Sequence, residues 1–232
     1  MVANIDEGIY MVYNPAAWKQ TYKNRTDLTG FLTHLTRPQP QNNLGATDVL
    51  IKILNERMLQ GSKEGYIVGE NRVVCFQEAP LYSIAENAIN HIEEYERHVQ
   101  STTTPFMKLR YYPCGLSFHK DTIYQLLDGT GQKIPNLGVR PVIYEETSIA
   151  KSFLPESEYW RIVDFELDRE KGITDWTHER EWRIKTDGFI FHYPNTTVLL
   201  RDSNQYHEFM NRIDPDVVKQ LAGIVCLDKL LY

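Results

Sequence analysis

The chain has 232 residues, 42% of them hydrophobic and 24% charged, with a formal net charge of −6. That length supports one well-buried domain over residues 1–232, and that composition lies far from the low-hydrophobicity signature of disorder. The acidic balance excludes a protein that coats polyanions by general phosphate neutralisation, while leaving room for a small basic groove.

The opening run MVANIDEGIY carries two acids before any base and no apolar stretch, so no secretory signal is expected and the cytoplasm is the expected location. GFLTHLT has the short apolar clustering of a strand, with His34 and Thr36 at its end. RPQPQNNLG, at 37–45, reads as an irregular loop because of its two prolines. Asp48 is then placed to cap a helix whose Leu50, Ile51, Leu54 and Met58 recur at helical spacing. VVCF at 73–76 is a buried strand. Over 84–99, Ile84, Ala88, Ile89, Ile92, Tyr95 and Val99 form one apolar stripe, with Glu93 and Arg97 paired at i,i+4. His91 and His98 flank that stripe, but no third ligand shares their face, so no metal is expected.

LRYYPCGLSF follows as a strand, HKDTIYQLL as a helix and RPVIYEE as a strand. GTGQK at 129–133 lacks the spacing of a phosphate-binding loop and is read as a turn. YWRIVDFELD alternates like a half-buried strand, and EREWRIK and FIFHY supply two more. Near the end, Asp214 and Pro215 start a helix through VVKQLA, and Gly223 hands over to IVCLD. The longest apolar runs, such as GIVCL, fall far short of the ~20 residues that span a bilayer, so no membrane partner is expected. Strands and helices do not alternate regularly, which predicts an α+β fold rather than a doubly wound parallel sheet.

Cys75, Cys114 and Cys226 are far apart and in apolar or aromatic settings, as expected of buried free thiols. Between 101 and 144 the charge balance reverses: Lys108, Arg110, Lys120, Lys133 and Arg140 stand against Asp121 and Asp128. No GxSxG elbow, HExxH helix or GxGxxG loop occurs, which removes the usual support for hydrolase, zinc-protease and dehydrogenase readings.

The unusual run is EREWRI. On a strand, side-chain direction alternates with period two, so Glu179 and Glu181 are expected on one face. The neutral account is a solvated face balanced by Arg180, Arg183 and nearby lysines. The bracketing Trp176 and Trp182 instead suggest the walls of a cleft.

Taken in order, THLT, a helix with IL and a following Gly, VVCFQEAP, GLSFHKDTI with GVRPVIY, and W-x-x-E-x-E-W-R resemble abortive-infection proteins of the AbiGi type. More distantly they resemble the DarT family of nucleic-acid ADP-ribosyltransferases, over roughly residues 30–230. The resemblance implies a split mixed β-sheet core flanked by helices, NAD as substrate, and no metal. It places His34 on the NAD ribose, Glu181 as the catalytic acid and Glu179 beside it. Thr36 is a further NAD-lining candidate, Tyr82 and Ser83 are lining candidates by position only, and Phe76 is a candidate to stack on nicotinamide, although a core aromatic on a buried strand is the commoner reading. In DarT relatives an Arg stands in a Pro-Arg-Ser second motif, where this chain reads QEAPLYS; Arg37 and Arg140 are the candidates to replace it.

Cleaving the nicotinamide glycosidic bond builds an oxocarbenium-like centre that a carboxylate stabilises, the role assigned to Glu181. Glu179 would orient the acceptor or take its proton. A base acceptor must be unstacked, which favours single-stranded RNA such as mRNA, or single-stranded DNA. Arg110, Arg140 and Trp176 are the candidate acceptor-side residues, with Tyr111, Tyr112 and Phe118 interleaved as candidate stacking faces, though aromatics at such positions are more often core than platform. The ExE form also resembles arginine-modifying transferases, so a protein arginine acceptor is the rival enzymatic reading. A non-catalytic interaction module of a defence complex is the rival outside enzymes. The resemblance further implies a growth-arresting toxin of anti-phage defence held by an antitoxin partner.

Overall fold

The alternation in FLTHL becomes a strand, β1 (Phe31–Leu35), that buries Leu32 completely at the centre of a seven-stranded sheet. In the computed structural model the described residues are 25–101, 107–124, 138–168 and 172–231, with a few single positions outside these spans. The remaining strands are β2 (Met58–Gln60), β3 (Val73–Gln77), β4 (Gly115–His119), β5 (Arg140–Pro141), β6 (Ile143–Tyr144), β7 (Ile162–Val163), β8 (Glu181–Lys185), β9 (Gly188–Ile190), β10 (Thr196–Leu200) and β11 (Gly223–Cys226). The helices are α1 (Ala46–Glu56), α2 (Leu81–Gln100), α3 (Lys120–Ile123), α4 (Thr147–Phe153), α5 (Ser203–Met210) and α6 (Pro215–Val218).

The main sheet runs β11-β10-β4-β1-β3-β8-β5 and is mixed: β10 and β11 are parallel and the other neighbours antiparallel. β2 with β9 and β6 with β7 form two small separate ladders. On one face of the main sheet, Leu32, Phe76, Phe118 and Ile184 pack with Leu50 and Leu54 of α1, Phe209 of α5 and the nearby Phe189 into the principal core. Ala85 of α2 packs with Leu199 and Leu227 in a second cluster. The architecture is therefore α+β, a mixed sheet flanked by helices.

The sheet is not evenly zipped. β1 matches β4 at five positions and β3 matches β8 at five, but β1 and β3 meet only at Thr33 and Gln77. Beyond that pair the two strands part. On its other side β1 is held tightly: a Cβ on Gly115 would lie 2.1 Å from the carbonyl oxygen of His34, so only glycine lets β4 approach there.

Several local expectations are corrected. Gly45, not Asp48, is the N-cap of α1; Asp48 lies three residues in and accepts the Gly45 N–H at 2.7 Å, and Met58 falls in β2 because left-handed Arg57 ends the helix. The proline loop contains a single 3-10 turn, Pro40–Asn42. In α2, Val99 is 63% exposed and Arg97 donates to the Glu93 carbonyl rather than its carboxylate. In YWRIVDFELD only Ile162 and Val163 form a strand, after Tyr159, Trp160 and Arg161 close a 3-10 turn that begins at Glu156, and RPVIYEE divides between two sheets. LRYYPCGLSF is strand only from Gly115, and of HKDTIYQLL His119 ends β4, Lys120–Ile123 form the single turn of α3, and 125–127, like all of GTGQK, lie outside the described residues. α6 is shorter than VVKQLA implies, ending at Val218. β2, β10 and α5 were not anticipated. Among the described residues no helix is long and apolar enough to cross a membrane.

Candidate functional site

A cleft of about 380 Å³ lies over β1, β3 and β8, on the stretch where β1 and β3 part. His34, Glu179, Glu181, Arg110 and Trp176 all line it. Thr36, Tyr82 and Arg140 do not. Thr36 is buried with its N–H on the Cys114 carbonyl, Tyr82 stands 52% exposed on α2, and the Arg140 guanidinium lies over the Tyr124 ring. Of the two candidate cations Arg37, not Arg140, lines the cleft, where it also donates to the Leu109 carbonyl at 3.0 Å. Phe76 borders the cleft, but its ring packs edge-on against Phe118 and Phe189 in the core and is not a free stacking face. Ser83 opens α2 beside Tyr82 and likewise does not line the cleft.

Nδ1 of His34 lies 2.8 Å from the Cys75 carbonyl oxygen. A carbonyl can only accept, so Nδ1 carries the hydrogen and Nε2 of the neutral ring is left as an acceptor. Burial, reinforced by the nearby Arg37 charge, lowers the imidazole pKa below its ordinary value and keeps the ring neutral.

The two acids do not share a strand. β8 begins at Glu181, whereas Glu179 ends a 3-10 turn, Thr177–Glu179, and Arg180 between them has φ 45°. A left-handed residue breaks the alternation, which is why period-two reasoning failed here. Arg180 instead turns outward to pair with Asp27 at 3.0 Å. Both carboxylates nevertheless reach the same cleft, by different routes.

Their partners differ as well. Arg183, two residues along β8, grips Glu181 with both arms: Nε to Oε1 at 2.8 Å and Nη2 to Oε2 at 3.0 Å. Its remaining nitrogen donates to the Trp160 and Ile162 carbonyls, at 2.8 and 3.1 Å. Both side chains are buried, Glu181 at 8% exposed and Arg183 at 2%. An ion pair with that two-point geometry fixes the position of the Glu181 carboxylate in the cleft wall. Glu179 has a neutral partner, accepting a hydrogen bond from the Tyr111 hydroxyl. Burial raises its pKa, and the charge of Glu181 adds to this, outweighing the Tyr111 bond and the more distant Arg183 and Arg110. Two carboxylates at one cleft, one fixed by a cation and one made more basic by its surroundings, are an arrangement that can separate electrostatic stabilisation from proton transfer.

Cys75 also lines the cleft, but burial and the Glu181 carboxylate push its thiol pKa well up, so it stays protonated and is a poor nucleophile. At the rim, Arg110 lies 4.7 Å over the Trp176 ring, and Tyr66 is 5.4 Å from Trp176 on a 58% exposed side chain. Trp176 Nε1 is buried without a hydrogen-bond partner.

The expected second wall, Trp182, is on the opposite face, where its Nε1 donates to Glu78 at 2.6 Å. Glu78 also pairs with Lys120, which is 1% exposed. Lys120 is thus internal rather than part of a basic groove, and Phe118 is likewise core rather than a stacking face. Tyr112 packs against the core. Of the basic segment's described members, Lys108 and Arg110 alone line the cleft; Lys133 and Asp128 lie outside the described residues. His91 accepts the Arg110 N–H at 2.9 Å.

Sequence reasoning missed the pairing of Arg183 with Glu181 and the contact of Tyr111 with Glu179. For Arg183 a signal was present, since Glu-x-Arg on a strand puts opposite charges on one face. Tyr111 is joined to Glu179 only by the fold, across 68 residues. Among the described residues no cluster of three or more His, Cys, Asp or Glu could hold a metal ion. Compared with models of known protein families, with curated proteins and with solved structures, the chain matches none of them.

Proposed function

We propose that the chain is an NAD-dependent ADP-ribosyltransferase that modifies single-stranded nucleic acid, RNA before DNA. The observation that carries this reading is the convergence of His34, Glu179 and Glu181 on one cleft at the split between β1 and β3. Its volume of about 380 Å³ falls in the range of small-ligand sites.

In this reading Nε2 of His34 accepts a hydroxyl of the nicotinamide ribose. Glu181, held in place by Arg183, faces the positive charge that develops as the bond between the ribose C1′ and the nicotinamide nitrogen breaks. Nicotinamide leaves with the bonding electron pair. A base amine or ring nitrogen attacks C1′, and Glu179, basic and tied only to a neutral hydroxyl, takes the proton that the acceptor loses. Arg37, Lys108 and Arg110 supply positive charge for phosphates, while Trp176 and Tyr66 offer a face for an unstacked base. A protein arginine acceptor is the second reading, favoured by the paired acids, since Glu179 would serve equally to deprotonate a guanidinium.

The resemblance to abortive-infection proteins supports a growth-arresting role in anti-phage defence, with an antitoxin as partner. Incubation with NAD labelled in its adenylate half, followed by separation of RNA, single-stranded DNA and protein, tests the acceptor. Label in RNA is the expected result. Label confined to protein overturns the nucleic-acid acceptor, and no release of nicotinamide even with cell extract overturns the enzyme.

A further inference from the structure

We propose that Tyr111 is the positioning residue for Glu179, its hydroxyl holding that carboxylate at the cleft wall as the acceptor-side base. The assignment of a base role to Glu179 rests on the transferase reading above; the grip of Tyr111 on Glu179 does not.

Glu179 needs such a device. It has none of the directional constraint of a strand, because it closes a single 3-10 turn whose only internal link at that residue is its N–H to the Trp176 carbonyl, at 3.0 Å. Left alone, a carboxylate there would swing toward the nearest cation, and Arg110 stands at the same cleft. An ionic partner would quench its basicity. A neutral hydroxyl orients it with far less effect on its charge.

Tyr111 is itself braced. Its segment is tied on one side by Arg37 donating to the Leu109 carbonyl and on the other by the Arg110 N–H donating to His91 Nε2. The phenol ring stands edge-on to His91, with centroids 5.3 Å apart, and to His178 at 6.5 Å. Its oxygen is 3.4 Å from His178 Nε2, while its hydrogen goes to Glu179. Burial and the Glu179 charge raise the phenol pKa far above its ordinary value, so Tyr111 remains the donor throughout the physiological range. The charged and titratable groups around Glu179 are Glu181 and Arg183 of β8, Tyr144 of β6, Cys75 of β3, His178 of its own turn, and Arg110 beside Tyr111. None of them substitutes for the Tyr111 donor.

The test uses the full chain and its Tyr111→Phe variant, which removes one oxygen and keeps the ring. With glutamate labelled at the carboxyl carbon, the Glu179 resonance, assigned by its loss in Glu179→Gln, is titrated in both proteins. The expected result is a midpoint about one pH unit higher in Tyr111→Phe, because the hydrogen bond favours the charged form. The acidic limb of the pH profile for transfer to RNA moves with it, and transfer falls at least ~10-fold while hydrolysis of NAD by water falls less. An unchanged midpoint overturns the proposal. Should Tyr111→Phe not fold, the Tyr111 ring-carbon resonance beside the hydroxyl is compared between wild type and Glu179→Gln. A shift supports the contact, and none overturns it. A shifted midpoint in a chain that releases no nicotinamide sustains the contact and overturns the transferase reading, so the two failures are told apart.

Discussion

The ring of His34 reaches from β1 to the backbone of Cys75 on β3, with Nδ1 2.8 Å from the carbonyl oxygen, just past the point where the two strands stop pairing. A side chain thus spans the split that a strand ladder leaves open, and the same contact fixes which imidazole nitrogen is free to accept.

Acidification should damage this contact. Burial places the folded-state pKa of His34 below the ordinary 6.5, so the unfolded chain binds the proton more readily than the folded one. Stability from this site is complete above about pH 6.5 and is lost as pH falls from there toward the folded value. Thermal midpoints measured from pH 8 to 5.5 should fall more for wild type than for His34→Gln; equal losses would contradict a neutral, buried His34.

Glu179 has the opposite sign. Its folded pKa is raised above the ordinary 4.5, so its contribution is fully present below 4.5 and is lost as pH rises through the folded value. Glu179→Gln should therefore raise the thermal midpoint at pH 8 and change it little at pH 4.5. A loss of stability at pH 8 would show that the carboxylate is a structural acid.

Arg183→Met leaves the buried Glu181 carboxyl without its partner, a change that costs about 3 kcal/mol or more. Denaturant midpoints would read that loss. The paired change Arg183→Met with Glu181→Leu should recover much of the stability but no NAD cleavage, separating the structural part of the pair from its chemistry.

At the rim, Trp176→Ala removes the ring under Arg110 and beside Tyr66. A base stacked there contributes about 1–3 kcal/mol, so half-saturating RNA should rise about 5-fold or more while NAD hydrolysis changes little. Equal loss of both activities would place Trp176 in the NAD half of the site.

The sequence patterns that located β1, β3 and β8 were apolar periodicities, and those depend on which side of a strand meets the core. Those patterns could place His34 and Glu181 on or beside strands; their roles were implied only by the resemblance. The route of Glu179 could not be read in this way: it depends on a left-handed Arg180, a conformation that a non-glycine residue does not announce. Lys120 was read as part of a basic groove because a charge is assumed to be solvated; the Glu78 carboxylate and the Trp182 ring that let it be buried lie 42 and 62 positions away in the sequence. Helix α5 carried a readable start, Asp202 accepting the Gln205 N–H at 2.9 Å, but its polar residues masked the short apolar face.

The most direct measurement is nicotinamide release from NAD by wild type and by Glu181→Gln, purified and compared at equal folded concentration. Wild type should release nicotinamide and label RNA, and Glu181→Gln should do both about 10²- to 10³-fold more slowly, the loss expected when one group that faces the developing charge is removed. Equal release by the two proteins would contradict the assignment of Glu181 and, with it, the site.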